Sequence, residues 1–155
     1  MESSIETAES IIPWIGRTAK FMDYYIVDYM KQHGLDISKS QFILLKKLHD
    51  KDGQKQNELA YLTNRSKTAL SRLIHTMEKK ELVYRAPCKK DMRINHIFLT
   101  TKGRETLKKS LPFFLKIIND LQQGISKEDL ITVQKAMGQI QMNINKTTNI
   151  NQQIK

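Results

Sequence analysis

The stretch Ser66-Lys67-Thr68-Ala69-Leu70-Ser71-Arg72-Leu73-Ile74-His75-Thr76-Met77-Glu78-Lys79-Lys80-Glu81-Leu82-Val83-Tyr84 decides the fold. Leu70, Leu73, Ile74 and Met77 recur at helical spacing and Ser66 is a cap-forming residue, so a helix is predicted from 67 to about 80. After Glu81 the apolar period falls from about 3.6 to 2. Leu82-Val83-Tyr84 predicts a strand, residues 87–95 a charged loop, and residues 96–99 the returning strand. Upstream, residues 57–63 predict a short helix with Leu59, Ala60 and Leu62 inward, joined to the first helix through Asn64-Arg65-Ser66. Two helices at a tight turn followed by a β-hairpin have the order of a winged helix-turn-helix.

Working outward, residues 38–50 predict a helix capped by Ser38, with Phe42, Leu45 and Leu48 as its stripe, joined by Ile43 and Leu44. Asp52-Gly53 is a turn signal. Nearer the N-terminus, Ile12, Ile15, Ala19, Met22, Ile26 and Tyr29 form a heptad-like seam, with Ser10 as N-cap, Pro13 in the first turn and Gly34 at the end. Ile5 and Ala8 continue that seam backwards. Downstream, residues 101–123 predict a helix with Leu107, Leu111, Phe114, Ile118 and Leu121 on one stripe and a kink before Pro112. Ser126 and Asp129 resemble a capping box for a last helix carrying Leu130, Val133, Met137, Ile140 and Ile144. Residues 147–155 are polar and expected to fray. The expectation is a mainly α single domain over 1–155 with a small β-hairpin wing. Its winged helix spans about 38–101, between dimerisation helices at about 11–34 and 104–146. The terminal seams exceed what a core of this size covers, so a second copy of the chain is expected on them; the alternative is that they pack on each other within one chain.

Composition narrows the function. A chain of 155 residues with one cysteine, Cys88, has no intramolecular disulfide framework and no closed Cys-rich zinc site. No stretch of 18 residues lacks charge, so no membrane span is expected. The first ten residues carry Glu2, Glu6 and Glu9 and no Lys or Arg, the opposite of a secretory signal, and a cytoplasmic protein is expected. Basic residues outnumber acidic ones 26 to 16, for a net charge of +10. Residues 38–109 hold 18 of the basic and 7 of the acidic residues, net +11, whereas the remaining 83 residues carry 8 and 9, net −1. A basic centre between neutral flanks points to a polyanion partner; a lysine-rich surface on a protein with another task is the alternative.

Enzymatic signals are missing. His33, His49, His75 and His96 lie on different elements without metal-ligand spacing, the six glycines form no phosphate loop, and Cys88 has no evident base. Asp50 with Asp52, and Glu128 with Asp129, read as solvated or cap-forming charges. No catalytic residue, metal or cofactor is expected. Nucleic-acid binding is favoured. The outward positions of the second helix of the pair are Lys67, Thr68, Ser71, Arg72 and His75. Arg72 has the reach for a guanine O6/N7 pair, and Thr68 and Ser71 suit a base or a phosphate. The alternative is an ordinary solvated helix face. Lys89, Lys90 and Arg93 concentrate charge in the hairpin tip, where an arginine suits a narrow minor groove. Asp91 is expected to pair with Arg93 and aim its guanidinium outward, or else to form a plain surface ion pair.

Glu58-Leu59-Ala60, Ser66-Lys67-Thr68-Ala69-Leu70-Ser71-Arg72-Leu73, Met77-Glu78-Lys79-Lys80-Glu81-Leu82-Val83, Tyr84-Arg85, Asp91-Met92-Arg93 and Leu99-Thr100-Thr101-Lys102-Gly103 together resemble the MarR family of bacterial transcriptional regulators. The resemblance covers about residues 35–110, with the flanking helices matching by layout. It implies a homodimeric winged-helix repressor or activator on a pseudo-palindromic double-stranded DNA operator, modulated by a small molecule or oxidant. By position, Lys67, Thr68, Ser71, Arg72 and His75 match the recognition helix. Lys89, Lys90, Asp91 and Arg93 match the wing, Arg93 being the minor-groove arginine, and Lys55 and Asn57 fall where the family meets backbone phosphates. Trp14, Arg17, Phe21, Tyr24 and Tyr25 fall where an effector cleft for phenols or aromatic carboxylates would be lined; core or dimer packing is the alternative. Three positions depart from the pattern. Glu81 and Asn64 stand where the family has glycine, so the turn at Glu81 needs another conformation or strain, whereas Asn tolerates left-handed geometry. Cys88 lies in the wing and not in the first helix, which argues against the family's thiol switch, although a thiol in a basic loop is expected to have a lowered pKa. The other readings are an RNA-binding winged helix and a protein-interaction module without operator binding.

Overall fold

A computed structural model of the chain describes residues 10–147. In order they form α1 (Ile12–Gln32), α2 (Lys39–Asp50), β1 (Gln54–Lys55), α3 (Gln56–Leu62), α4 (Lys67–Lys79), β2 (Val83–Pro87), β3 (Asn95–Leu99), α5 (Thr101–Gln122) and α6 (Lys127–Thr147). The chain divides between Ser38 and Lys39 into two compact units. The continuation of the first seam at Ile5 and Ala8, and the polar tail beyond 147, lie outside the described residues.

The first unit is α1. Its N-cap is Ile11 rather than Ser10; the Ser10 hydroxyl accepts from the Ile12 N–H at 3.3 Å, one position before the cap. Pro13 falls in the first turn, where its missing N–H has no intrahelical acceptor. The helix closes in a Schellman motif: Gly34 (φ +63°) donates to the Lys31 carbonyl and Leu35 to the Met30 carbonyl.

In the second unit, α2, α3, α4 and β3 share an apolar centre. Leu44, Leu45, Leu48, Leu59, Ala60, Leu70, Ile74, Met77 and Ile97 are all fully buried. Truncating any one of these leucines to alanine is expected to cost about 2–5 kcal/mol. The Phe42 ring stacks on Phe114 of α5 with centroids 3.6 Å apart. Leu62, expected inward, is exposed; so are Ile43 of the α2 stripe and Leu111 and Ile118 of the α5 stripe. On α5 the buried positions are Gly103, Leu107, Ser110, Phe114 and Ile117, so this chain covers only one of the helix's two apolar flanks. The helix runs without interruption through Pro112. Ser126 caps α6, accepting from the Asp129 N–H and donating to its carboxylate, yet no residue of α6 is buried.

The same C-terminal motif that closes α1 closes α3 and α4, with residues other than glycine in the left-handed position. Asn64 (φ +50°) donates to Tyr61 O and Arg65 to Ala60 O; Glu81 (φ +60°) donates to Glu78 O and Leu82 to Met77 O. The turn at Glu81 therefore keeps the glycine conformation and carries its strain, on the order of 1–2 kcal/mol.

The sheet is antiparallel in the order β1-β3-β2. Val83 pairs with Leu99 and Pro87 with Asn95, which leaves Pro87 at the end of an edge strand that needs no further donor. β1 was not expected. It has two residues, and Gln54 is buried because its Nε2 donates to the Lys47 and Lys51 carbonyls at the end of α2. Asp52 is not simply solvated. One carboxylate oxygen accepts from Gly53 N and Leu99 N, and the other pairs with Arg104, tying turn, strand and α5 together. Asp50 does behave as a surface charge, and its hydrogen bond from Lys46 holds its pKa below the ordinary value.

Candidate nucleic-acid interface

The α4 helix begins at Ser66, whose side chain accepts from the Ala69 N–H at 3.2 Å. That cap satisfies a donor in the first turn and defines which residues follow on the open face. Lys67, Thr68, Arg72 and His75 are exposed, while Leu70, Ile74 and Met77 anchor the opposite face and Leu73 is half-buried. Ser71 is placed differently. It is half-buried beneath Arg85 of β2, whose Nη2 donates to the Ser71 carbonyl at 3.1 Å and to its hydroxyl at 3.4 Å. The other end of the guanidinium, Nη1, lies 2.8 Å from Glu78. Sequence reasoning assigned Arg85 no role; the one available signal was an acid seven residues before a strand arginine, across a helix-terminating turn.

The wing closes on itself at its tip. Cys88 N–H donates to Ile94 O at 2.7 Å, and Ile94 N–H to Asp91 O at 3.0 Å. Asp91 accepts three bonds from Arg93: from its backbone N–H at 3.0 Å, Nε at 3.1 Å and Nη2 at 3.3 Å. The side-chain bonds from Arg93, followed by the backbone bond, hold the Asp91 carboxyl below its ordinary pKa. The Arg93 side chain nonetheless remains 90% exposed, a cation fixed in direction but open to an incoming anion. Lys89 and Lys90 are exposed beside it. The backbone N–H groups of Asp91 and Lys90 lower the pKa of the half-buried Cys88 thiol, consistent with an N–H-rich loop stabilising a thiolate.

A polar cleft of about 150 Å³ lined by Gln56, Asn57, Arg93, Ile94 and Asn95 brings the start of α3 beside the wing tip. Lys55 is exposed immediately before it. His96 on β3 faces the Gly53 carbonyl at 2.9 Å through Nδ1; because a carbonyl only accepts, that nitrogen carries the proton.

On α1, Trp14, Arg17, Phe21, Tyr24 and Tyr25 share a face and are all exposed. Arg17 lies over the Phe21 ring at 5.2 Å, Lys20 over Tyr24 at 5.8 Å, and Tyr25 lies 6.1 Å from Tyr29. Among the described residues no group of three or more His, Cys, Asp or Glu is placed to hold a metal ion. No helix among them is long and apolar enough to cross a membrane.

The helix pair α3–α4 followed by the β2–β3 hairpin defines a winged helix-turn-helix protein. Residues 37–94 match the model of the MarR family, so the resemblance read from the sequence is borne out from α2 to the wing tip. The fold agrees over nearly the whole chain. AbsC, a MarR family transcriptional regulator from Streptomyces coelicolor, is 25% identical with a TM-score of 0.78, covering 90% of this chain and 95% of its own. MepR from S. aureus, solved as a DNA complex, is 24% identical with a TM-score of 0.75, covering 84% and 96%. A mutant MarR from E. coli complexed with operator DNA is 19% identical with a TM-score of 0.77, covering 86% and 94%.

Proposed function

We propose that this chain is a sequence-specific, double-stranded DNA-binding transcriptional regulator that works in the cytoplasm as a homodimer. The observation that carries the reading is the Asp91–Arg93 clasp. It presents an exposed guanidinium at the tip of the hairpin, beside the start of α3 and within a region of net charge +11 that includes the open cationic face of α4. Lys67, Thr68, Arg72 and His75 enter the major groove, with Arg72 reading a base. Arg93 enters the minor groove, and Lys89, Lys90, Lys55 and Asn57 contact phosphates nearby. Ser71 is engaged by Arg85 at both its carbonyl and its hydroxyl, so it offers DNA only the hydroxyl's own proton. Because phosphate neutralisation supplies much of the affinity, binding falls roughly 10³–10⁵-fold between 50 and 200 mM salt if six to ten phosphates are met.

Uncovered apolar surface supports the dimer. The α6 seam of Leu130, Val133, Met137, Ile140 and Ile144 has no buried member, and Leu111, Leu115 and Ile118 on α5 are likewise exposed. A second copy sets two recognition helices about 34–36 Å apart, which demands a near-palindromic site. The aromatic face of α1, with Arg17 among the rings, suits a phenol or aromatic carboxylate as effector.

The test is selection of bound sequences from a random duplex pool at low salt. A symmetric site with half-sites one helical turn apart is expected. Recovery of no preferred sequence overturns the reading, and competition by single-stranded RNA as strong as by duplex would favour an RNA-binding winged helix.

A further inference from the structure

The strongest unexplained feature of the interface is Arg85. It projects from the second strand, away from the exposed tip, and makes three bonds back to α4: to Glu78 at 2.8 Å, to Ser71 O at 3.1 Å and to Ser71 Oγ at 3.4 Å. The geometry is unusual in two respects. Ser71 lies in mid-helix, where a carbonyl already serves the helix's own ladder, so Arg85 uses the second lone pair. The fork also reaches residues two turns apart on one face of the helix, Ser71 and Glu78 being seven residues apart, which fixes the angle of the strand along α4 as well as its distance. A single point charge does not impose that constraint; a planar guanidinium with donors at both ends does.

Both side chains of the pair are about a quarter exposed, 26% for Arg85 and 28% for Glu78, so solvent only partly weakens the contact. Arg85 is also clear of the cationic tip: it pairs in register with Ile97, while Cys88 to Ile94 form the loop beyond the strand ends. Its charge is spent on Glu78 and is not offered to a phosphate.

We infer that Arg85 is a positioning residue that couples the recognition helix to the wing, so that contacts by Arg72 in one groove and Arg93 in the next form together. This rests on the DNA-binding reading above. With the fork intact, β2 and the tip it carries hold one angle to α4, and the protein meets DNA with both readers prearranged. Without it, the strand above its clamped base loses its side-chain tie to α4, and each reader binds at the cost of ordering itself.

The experiment is a double-mutant cycle on the selected operator. Arg93→Ala is measured in the wild type and in Arg85→Met, which keeps the aliphatic stem and removes the fork; Arg85→Lys, which keeps the charge to Glu78 alone, is the companion. Melting and circular dichroism establish that each variant is folded. In the wild type, loss of Arg93 is expected to weaken binding about tenfold, and in the Arg85→Met background less than about threefold, a coupling typical of groups that act as a unit. Arg85→Lys is expected to behave like Arg85→Met, because charge without the fork ties the strand to α4 at one point only. Hydroxyl-radical footprinting should show protection lost in the minor groove under the wing while the major-groove contacts of α4 persist. Strictly additive losses, with Arg93→Ala costing the same in both backgrounds, overturn the inference while leaving DNA binding intact. Full function in Arg85→Lys overturns it also, since the pair would then be electrostatic only. A wild-type protein that selects no duplex defeats the DNA reading and, with it, this one.

Discussion

A Cβ placed on Gly103 would lie 2.1 Å from the backbone oxygen of Leu82, closer than any real contact allows. The first turn of α5 is therefore pressed against the start of β2. The junction is held by hydrogen bonds: Thr100 N–H and Oγ1 both reach Leu82 O at 3.1 Å, and Oγ1 also reaches Glu81 O at 2.6 Å while accepting from Gly103 N–H. This explains Leu99-Thr100-Thr101-Lys102-Gly103 physically: the threonine caps the helix and clamps the base of the wing, and the glycine permits the approach.

Gly103→Ala should accordingly destabilise the protein, against the usual helix preference that favours alanine by about 1 kcal/mol. The obstacle is backbone and cannot swing aside, so an overpacking loss of about 1–3 kcal/mol is expected. Denaturant melts read it directly. An unchanged or raised midpoint would mean that the α5–β2 contact is looser than described.

Glu81 offers the opposite case. It occupies the left-handed region at φ +60°, where glycine is at ease, and its carboxylate makes one exposed pair with Lys102 at 3.2 Å. Relief of about 1–2 kcal/mol of strain outweighs the lost surface pair and part of the extra unfolded-state entropy of glycine. Glu81→Gly is expected to stabilise by about 0.5 kcal/mol, and Glu81→Val, β-branched, to destabilise. A lower melting point for the glycine variant than for wild type would show that the turn carries no strain.

Much of the winged helix was readable in advance because its determinants are local. The Ser66 cap, the Leu70–Ile74–Met77 stripe and the change of period after Glu81 each depend on residues within a few positions of one another. β1 was missed because a two-residue strand has no alternation to detect, and its cause is Gln54 bonding to the end of α2. Leu111 and Ile118 fell on one stripe with the buried Leu107 and Phe114, because an apolar residue at helical spacing looks the same whether its own chain or another surface covers it. Within the candidate site, the cationic positions of α4 and the wing were legible by type. The clamp of Arg85 on Ser71 was not, since it joins residues fourteen apart through side-chain geometry.

Asp91 separates charge from orientation. Removing an acid raises the local positive charge, so simple electrostatics has Asp91→Ala bind DNA more tightly. Loss of the clasp on Arg93 frees the guanidinium, so we expect weaker binding and a loss of preference for narrow minor grooves. The carboxyl's folded pKa lies below its ordinary 3.8. The clasp is therefore fully present above that value and lost only as pH falls through the lower folded one. A carboxyl-carbon NMR titration should place the Asp91 midpoint beneath those of unpaired aspartates. Tighter binding by Asp91→Ala at every sequence would reject the orienting role.

The last expectation concerns α6, whose apolar seam has no buried member although Val133 and Ile144 are 51% and 44% exposed. Stable homodimer interfaces bury on the order of 1,200–2,000 Å² or more, and a charge set in the middle of such a surface is left without a partner on association. Val133→Asp combined with Ile140→Asp should therefore yield a smaller sedimenting species with helical content largely kept, because Val133 is exposed and Ile140 no more than half-buried in the single chain. Operator affinity should fall steeply at the same time, since one recognition helix retains only half of the contacts. A variant that still sediments as the wild type would place the partner's footprint elsewhere, and a wild type that is itself a monomer at micromolar concentration would remove the twofold basis for a palindromic site.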